Sequence, residues 1–217
     1  MKTISALLLL IPFIYFGQEV KTLQNDREFS YKIFGNIANY FASEKDLLNF
    51  FEFKNKDVVA EVGAANWQNV IGLSILTDSI AYFAEDIDAT NLHIKGLVKS
   101  LPKITKYKPN QTNSFDMTIG KEKETLLTDN LFDKIILCST FHEFKFMDEM
   151  IADLYKKLKP GGKLYILESE CLNKEHKNYT AKQTTEILKK HNFALLKKDG
   201  KDINGAKGLY RMVFAKK

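Results

Sequence analysis

The residues with the clearest chemical potential stand at the ends of predicted strands. Asp57-Val58-Val59-Ala60-Glu61-Val62-Gly63-Ala64-Ala65-Asn66-Trp67 reads as a buried parallel strand that breaks at Gly63 and opens into a loop. An α/β fold places nucleotide-like ligands at such a break. A glycine there lets the chain turn sharply and lets a ligand approach the backbone. The helix that follows offers N–H groups at its N-terminus, which suit an anion. Glu85-Asp86-Ile87-Asp88 ends the second strand. A carboxylate in that position can accept hydrogens from both hydroxyls of a ribose; Asp86 is the first choice and Asp88 the second. Asp88 also suits the N-cap of a helix beginning at Ala89.

Phe141-His142-Glu143-Phe144 follows the fourth strand, where substrate would sit. His142 could act as a general base and Glu143 could orient a substrate; the alternative is a histidine that only shapes the pocket. Glu168 and Glu170 follow the fifth strand and could bind a cationic substrate, although solvated strand-end carboxylates are common. His176 and His191 read as surface residues. No His/Cys/Asp cluster has metal-ligand spacing.

These residues need a scaffold of alternating strands and helices. The pattern predicts strands over residues 58–62, 80–84, 114–119, 134–138 and 163–167, with helices over 68–76, 89–98 and 146–158 between them. Pro160-Gly161-Gly162 is expected to stop the last of these helices. A helix over 180–191 with Thr180 as N-cap follows, and 193–196 with 210–214 reads as a closing hairpin around Gly205 and Gly208. The near-continuous apolar run of the fourth strand fits a sheet buried on both faces. Ahead of the sheet, Phe29, Ile33, Phe34, Ile37 and Phe41 recur at helical spacing. A second short helix follows Ser43, a good N-cap with Asp46 three residues on. The expected fold class is α/β: a three-layer α-β-α sandwich around a mostly parallel, Rossmann-like sheet with an antiparallel C-terminal hairpin.

The 217 residues suit one domain with a full core. Hydrophobic content of 45% and charged content of 27% are ordinary for a soluble globular chain. The net charge of +5, from 32 basic and 27 acidic residues, is small and dispersed. The densest basic run, Lys99 to Lys108, reads as a solvated loop face rather than a nucleic-acid site. Residues 1–17 match a secretory signal peptide: one Lys, the apolar run Ile4 to Phe16, then Gly17-Gln18-Glu19. Export to the periplasm is expected; a buried N-terminal helix or an uncleaved anchor is the alternative. The run is short of the roughly 20 apolar residues of a membrane span, so no stable span is expected after cleavage. Residues 18–56 then form an N-terminal helical lid or cap, and 57–217 the main domain. Cys138 and Cys171 read as ordinary thiols, Cys138 buried.

From Asp57 to Lys217 the chain resembles the class I S-adenosylmethionine-dependent methyltransferases. Val59-Ala60-Glu61-Val62-Gly63 is similar to their first motif. Glu85-Asp86-Ile87-Asp88 is similar to the acidic end of their second strand, and Leu131 to Leu137 to the entry of their fourth. Leu158-Lys159-Pro160-Gly161-Gly162-Lys163-Leu164 resembles the turn before their fifth strand. The resemblance implies S-adenosyl-L-methionine as cofactor and a small-molecule acceptor. Its binding residues would be Glu61, Gly63, Ala65, Trp67, Asp86, Ile87, Lys121 and Ser139, with His142 and Glu143 at the reacting centre. The N-terminus of the helix after Gly63 would take the methionine carboxylate, and Phe34, Tyr40 and Phe41 would line the acceptor pocket.

The chain departs from the family where further loop glycines are usual: those positions hold Ala65 and Trp67. Ala65 is a mild change if its φ is negative. The Trp67 indole would fill cofactor space, or stack on the ligand, or sit on a bent loop with Asn66 at positive φ. Lys121 stands where an adenine-binding acid is usual, with Glu122 next. A dinucleotide dehydrogenase would need the missing glycines and ranks lower. A methyltransferase and an exported, non-catalytic binding protein on the same scaffold that has lost or weakened cofactor binding both remain open.

Overall fold

The computed structural model describes residues 29–170, 178–200, 202–203 and 206–217; the signal segment, Cys171, His176 and Gly205 lie outside them. Seven strands form one sheet: β1 Val58–Val62, β2 Ala81–Asp86, β3 Ser114–Ile119, β4 Phe132–Cys138, β5 Leu158–Ser169, β6 Phe193–Asp199 and β7 Leu209–Lys216. Their order is β3-β2-β1-β4-β5-β7-β6. The first five run parallel, and β7 is antiparallel to both neighbours. The strand order therefore reverses between β1 and β4, the place where open α/β sheets bind ligands.

Two hydrophobic cores cover the two faces of the sheet. Side chains alternate along a strand, so Val59 goes to one core and Ala60 and Val62 to the other. On the first face lie α1 Tyr31–Phe34, a 3-10 turn Gly35–Tyr40, α2 Glu44–Phe51, α3 Gln68–Leu76 and α4 Ile94–Tyr107. On the second lie α5 Met147–Lys157 and α6 Ala181–Lys190. This is the three-layer arrangement that the alternating pattern predicts.

Local signals explain most boundaries. Thr180 caps α6 by accepting from Gln183 N at 3.2 Å, and the Gln183 side chain returns the bond to Thr180 N at 2.9 Å. Ser43 caps α2 through Asp46 N at 3.2 Å. Three expectations need correction. The aromatic segment before Ser43 is not one helix: Gly35 turns to φ 74°, and a Cβ there would lie 2.4 Å from Asn69 Oδ1. The helix expected over 89–98 begins instead at Ile94, because Asp88 spends its carboxylate on a turn with Thr90 and Asn91. The His93 ring is the actual cap, accepting from Gly96 N at 2.9 Å. The basic run from Lys99 consequently lies on a helix up to Tyr107, not in a loop. Finally, β5 begins at Leu158, ahead of the Pro160-Gly161-Gly162 turn, with a register shift against β4 between Phe132 and Lys134.

The N-terminal residues are built into the first core. Phe34, Ile37, Phe41, Leu47 and Phe51 are fully buried. Arg211 on β7 clamps them to the sheet. Its guanidinium takes both Asp46 oxygens at 2.8 and 3.0 Å, donates to Tyr40 O at 3.2 Å, and lies over the Phe41 and Phe50 rings. Such a two-pronged match needs arginine's planar fork. Arg211→Lys is expected to cost about 1–2 kcal/mol in urea unfolding, with α2 losing protection first in hydrogen exchange.

Candidate functional site

The site is built where the C-terminal ends of β1, β2 and β4 meet. A cavity of about 250 Å³ opens there, lined among others by Gly63, Glu85, Asp86, Ile87, Ser139 and Thr140. A second cavity of about 140 Å³ lies on the N-terminal side of the loop, lined by Tyr31, Asn36, Ala65, Asn66, Asn69 and Cys138 among others. Gly63 lines both. Gly63 has φ 76°, and a Cβ on it would meet the Thr140 side chain at 2.3 Å. Backbone angle and space thus both demand glycine.

The loop keeps its left-handed turns without its glycines. Ala65 stands at φ 44° and Trp67 at φ 71°, and Asn66 is not among the positive-φ residues. So Ala65 is not the mild change a negative φ would have made it, and the predicted turn at Asn66 falls on Trp67. L-residues in this region are strained by about 1–2 kcal/mol each. Asp86 braces the strained loop, accepting from Ala65 N at 2.8 Å with Oδ2 and from Asp88 N at 2.9 Å with Oδ1. Each carboxylate oxygen keeps a lone pair for a ligand hydroxyl. Asp88, the second choice for that role, is committed to Thr90 and Asn91 and does not line the cavity.

Several predicted site residues are elsewhere. Trp67 is fully buried in the first core, its indole donating to His93 O at 3.2 Å, and it neither fills nor stacks on either cavity. Glu61 is also buried; it accepts from Asn69 Nδ2 at 2.6 Å, while Asn69 Oδ1 accepts from Ile37 N at 3.0 Å. It ties β1 to α3 and the N-terminal turn rather than touching a ligand. At the α3 N-terminus Gln68 N donates to Asn66 Oδ1 at 3.3 Å, and both residues line the smaller cavity. Lys121 turns to Glu124 at 2.8 Å and lines neither cavity. Its neighbour Glu122 lines the larger one and holds Lys145 at 2.5 Å. Ser139 lines the larger cavity, with its hydroxyl 2.8 Å from Tyr40 Oη. Ile87 is also in place, exposed at the cavity rim.

His142 cannot serve as a resting base. Its Nδ1 meets Glu168 Oε2 at 2.9 Å and its Nε2 meets Glu143 Oε1 at 3.0 Å. The hydrogen bond to Glu168 raises its pKa and favours imidazolium. It lines a neighbouring cleft with Phe144 and Tyr179, not the cavity of Gly63 and Asp86; Glu143 lines both. Glu168 is committed to His142, and Glu170 accepts from Ala181 N at 2.9 Å, so neither waits for a cationic substrate. His191, expected on the surface, is largely covered and pairs with Asp148 at 2.8 Å.

Sequence reasoning missed Glu85. Its neighbour Asp86 turns to the loop, whereas Glu85 is 1% exposed, and its Oε1 has no hydrogen-bond partner. A Cβ on Gly120 would lie 1.8 Å from that oxygen. Burial, then the charges of Asp86 and Asp153, push its carboxyl up to about 8. Burial likewise raises Glu61 to about 7. Both carboxyls hold a proton in the folded chain that the unfolded chain releases above about pH 4.3, so both lower stability as pH rises. His142 acts in the same direction: its contribution is complete below the unfolded pKa of about 6.5 and is lost as pH rises through its higher folded value. Asp46 and Asp133, held low, titrate below this window. The melting temperature is therefore expected to fall by several degrees between pH 5 and pH 8.5. Glu85→Gln should flatten that fall; an unchanged slope would show Glu85 already ionised.

Comparison with known proteins finds a matching family model and similar folds. Residues 59–166 match the family model described as a methyltransferase domain. A SAM-dependent methyltransferase from Methanosarcina mazei has a similar structure, with TM-score 0.64 at 13% identity over 78% of this chain and 96% of that one. A SAM-dependent methyltransferase from Aquifex aeolicus gives 0.63 at 17% identity over 87% and 97%. The [4+2]-cyclase SpnF also gives 0.63, at 12% identity over 82% and 86%. No protein of curated function matches the sequence.

Proposed function

We propose that this chain, which carries a methyltransferase domain on the class I methyltransferase fold, transfers a methyl group from S-adenosylmethionine to a small molecule. The observation that carries this reading is Asp86, set against the Gly63 turn at the β1/β4 reversal, with a cavity on either side of Gly63. Together the cavities offer room within the range of small-molecule sites. The residues fit the cofactor: Asp86 would take the ribose hydroxyls, with Ile87, Phe144 and Met150 forming an apolar wall and Glu122 a polar edge. Ala65, Asn66 and Asn69 would border the amino-acid end.

When bound, the cofactor supplies a methyl group on a sulfonium, which needs no further activation. The chain's contribution is then alignment and exclusion of water. Ser139, which lines the larger cavity with Gly63, is fixed by its hydrogen bond to the buried Tyr40 hydroxyl and can orient an acceptor. Glu143, exposed at the cavity mouth, pairs through Oε1 with His142 Nε2, so the two act as one hydrogen-bonded unit that can orient an acceptor. The small cavities favour a small-molecule acceptor.

One observation favours a second reading, a binding protein without transfer: left-handed strain is retained at Ala65 and Trp67, and His142 is locked. Calorimetry with S-adenosylmethionine and S-adenosylhomocysteine tests both. Micromolar binding with methyl transfer to a panel of small amines, thiols and phenols supports the enzyme. Binding without transfer supports the second reading. No heat up to millimolar ligand defeats the enzyme reading and leaves a binding protein that has lost the cofactor.

A further inference from the structure

We propose that the outer face of α4 docks on an anionic phospholipid surface. Leu97 and Ile104 turn inward to the first core. The opposite face presents Ile94, Val98 and Leu101, 57%, 55% and 45% exposed, at positions that share one stripe of a helix. Three large aliphatic side chains in water on one 14-residue helix are a patch, not scattered surface residues. Lys95, Lys99 and Lys106 flank the stripe and pair with no acidic side chain among the described residues. An apolar stripe edged by lysines is the pattern of a helix lying in a membrane interface. Among the described residues no helix is long and apolar enough to cross a membrane.

The path of the chain supports this occupant. Lys103 on α4 donates to Lys32 O at 2.8 Å, and Gln68 holds Tyr31 O at 2.8 Å. The N-terminal segment thus joins the fold beside α4. The apolar run Ile4 to Phe16 precedes Tyr31 by 14 residues in sequence. Those residues span at most roughly 50 Å. Before cleavage, or without it, a membrane-held segment would keep α4 at the surface. Three lysines near an anionic leaflet each add about fivefold to partition.

The full-length chain, with and without Val98→Glu plus Leu101→Glu, is floated with phosphatidylcholine vesicles containing or lacking about one-third phosphatidylglycerol. Partition of the wild type is expected to fall about tenfold or more without the anionic lipid, and as much in the variant. Because residues 4–16 can bind lipid by themselves, acetylation of Lys95 and Lys99 is read by mass spectrometry in the same mixtures. Protection by anionic vesicles is expected. Equal partition of wild type and variant together with unchanged acetylation overturns the proposal. So does a wild-type dimer in light scattering that the variant dissolves while vesicle binding is unaltered, because the face would then belong to a second copy.

Discussion

Trp67→Ala is expected to lower the unfolding free energy by about 3–5 kcal/mol, the range for deleting a fully buried large aromatic. The indole is inaccessible, its Nε1 is hydrogen-bonded to His93 O, and its Cδ1 lies 3.3 Å from where a Gly96 side chain would begin. Deletion empties the junction between the loop, α3 and α4. For a domain stable by about 5–15 kcal/mol this is a large fraction. A second variant isolates the backbone. Trp67 occupies φ 71°, so Trp67→Gly loses the same packing but sheds about 1–2 kcal/mol of left-handed strain. Glycine should therefore be more stable than alanine at this position, the reverse of the usual order. Urea midpoints at constant m-value measure both. A loss under 1 kcal/mol for Trp67→Ala, or alanine above glycine, would show that the indole is not seated in the core. The same burial makes Trp67, the chain's one tryptophan, a reporter of unfolding rather than of ligand.

What the sequence revealed follows from which forces are local. β1, α3 and the Thr180 cap were legible because apolar alternation and capping side chains act within a few residues. The C-terminal pairing of β6 with β7 was legible from the same alternation. The start of α4 was not, since Asp88 offers the chemistry of an N-cap and a turn alike, and the competition is decided by Thr90 and Asn91. Pro102 inside α4 also argues locally against a helix that tertiary packing extends to Tyr107. Gly63, Asp86, Ile87, Ser139 and Glu143 line the larger cavity, a placement legible because they stand at strand ends. The burial of Glu61 and Trp67 was not legible: their placements depend on Asn69 and His93, partners that only the folded chain brings near. Glu85 was invisible beside Asp86, because adjacent strand residues face opposite ways and sequence does not say which way is outward.

The second large effect concerns function. Asp86→Ala is expected to weaken S-adenosylhomocysteine binding about 100-fold or more, with a stability loss of only about 1–2 kcal/mol. The carboxylate has two tasks on this reading. It holds Ala65 N in a turn that costs strain, and it faces the cavity with lone pairs for two hydroxyls. Hydrogen bonds to a charged acceptor are worth about 1.5–3 kcal/mol each, so losing even one gives roughly tenfold to a hundredfold. Asp86→Asn disturbs both tasks at once. Its amide keeps one acceptor oxygen, which can serve Ala65 N or Asp88 N but not both, and its NH2 then opposes the other donor. Its binding should therefore fall nearly as far as the alanine variant's. Asp88→Ala is the control: Asp88 braces only Thr90 and Asn91, outside the cavity, and its loss should shift affinity less than about threefold. If calorimetry found the Asp88 variant impaired and the Asp86 variant intact, ribose recognition would move two residues along the chain, and the loop would have to be held by something other than the carboxylate at the end of β2.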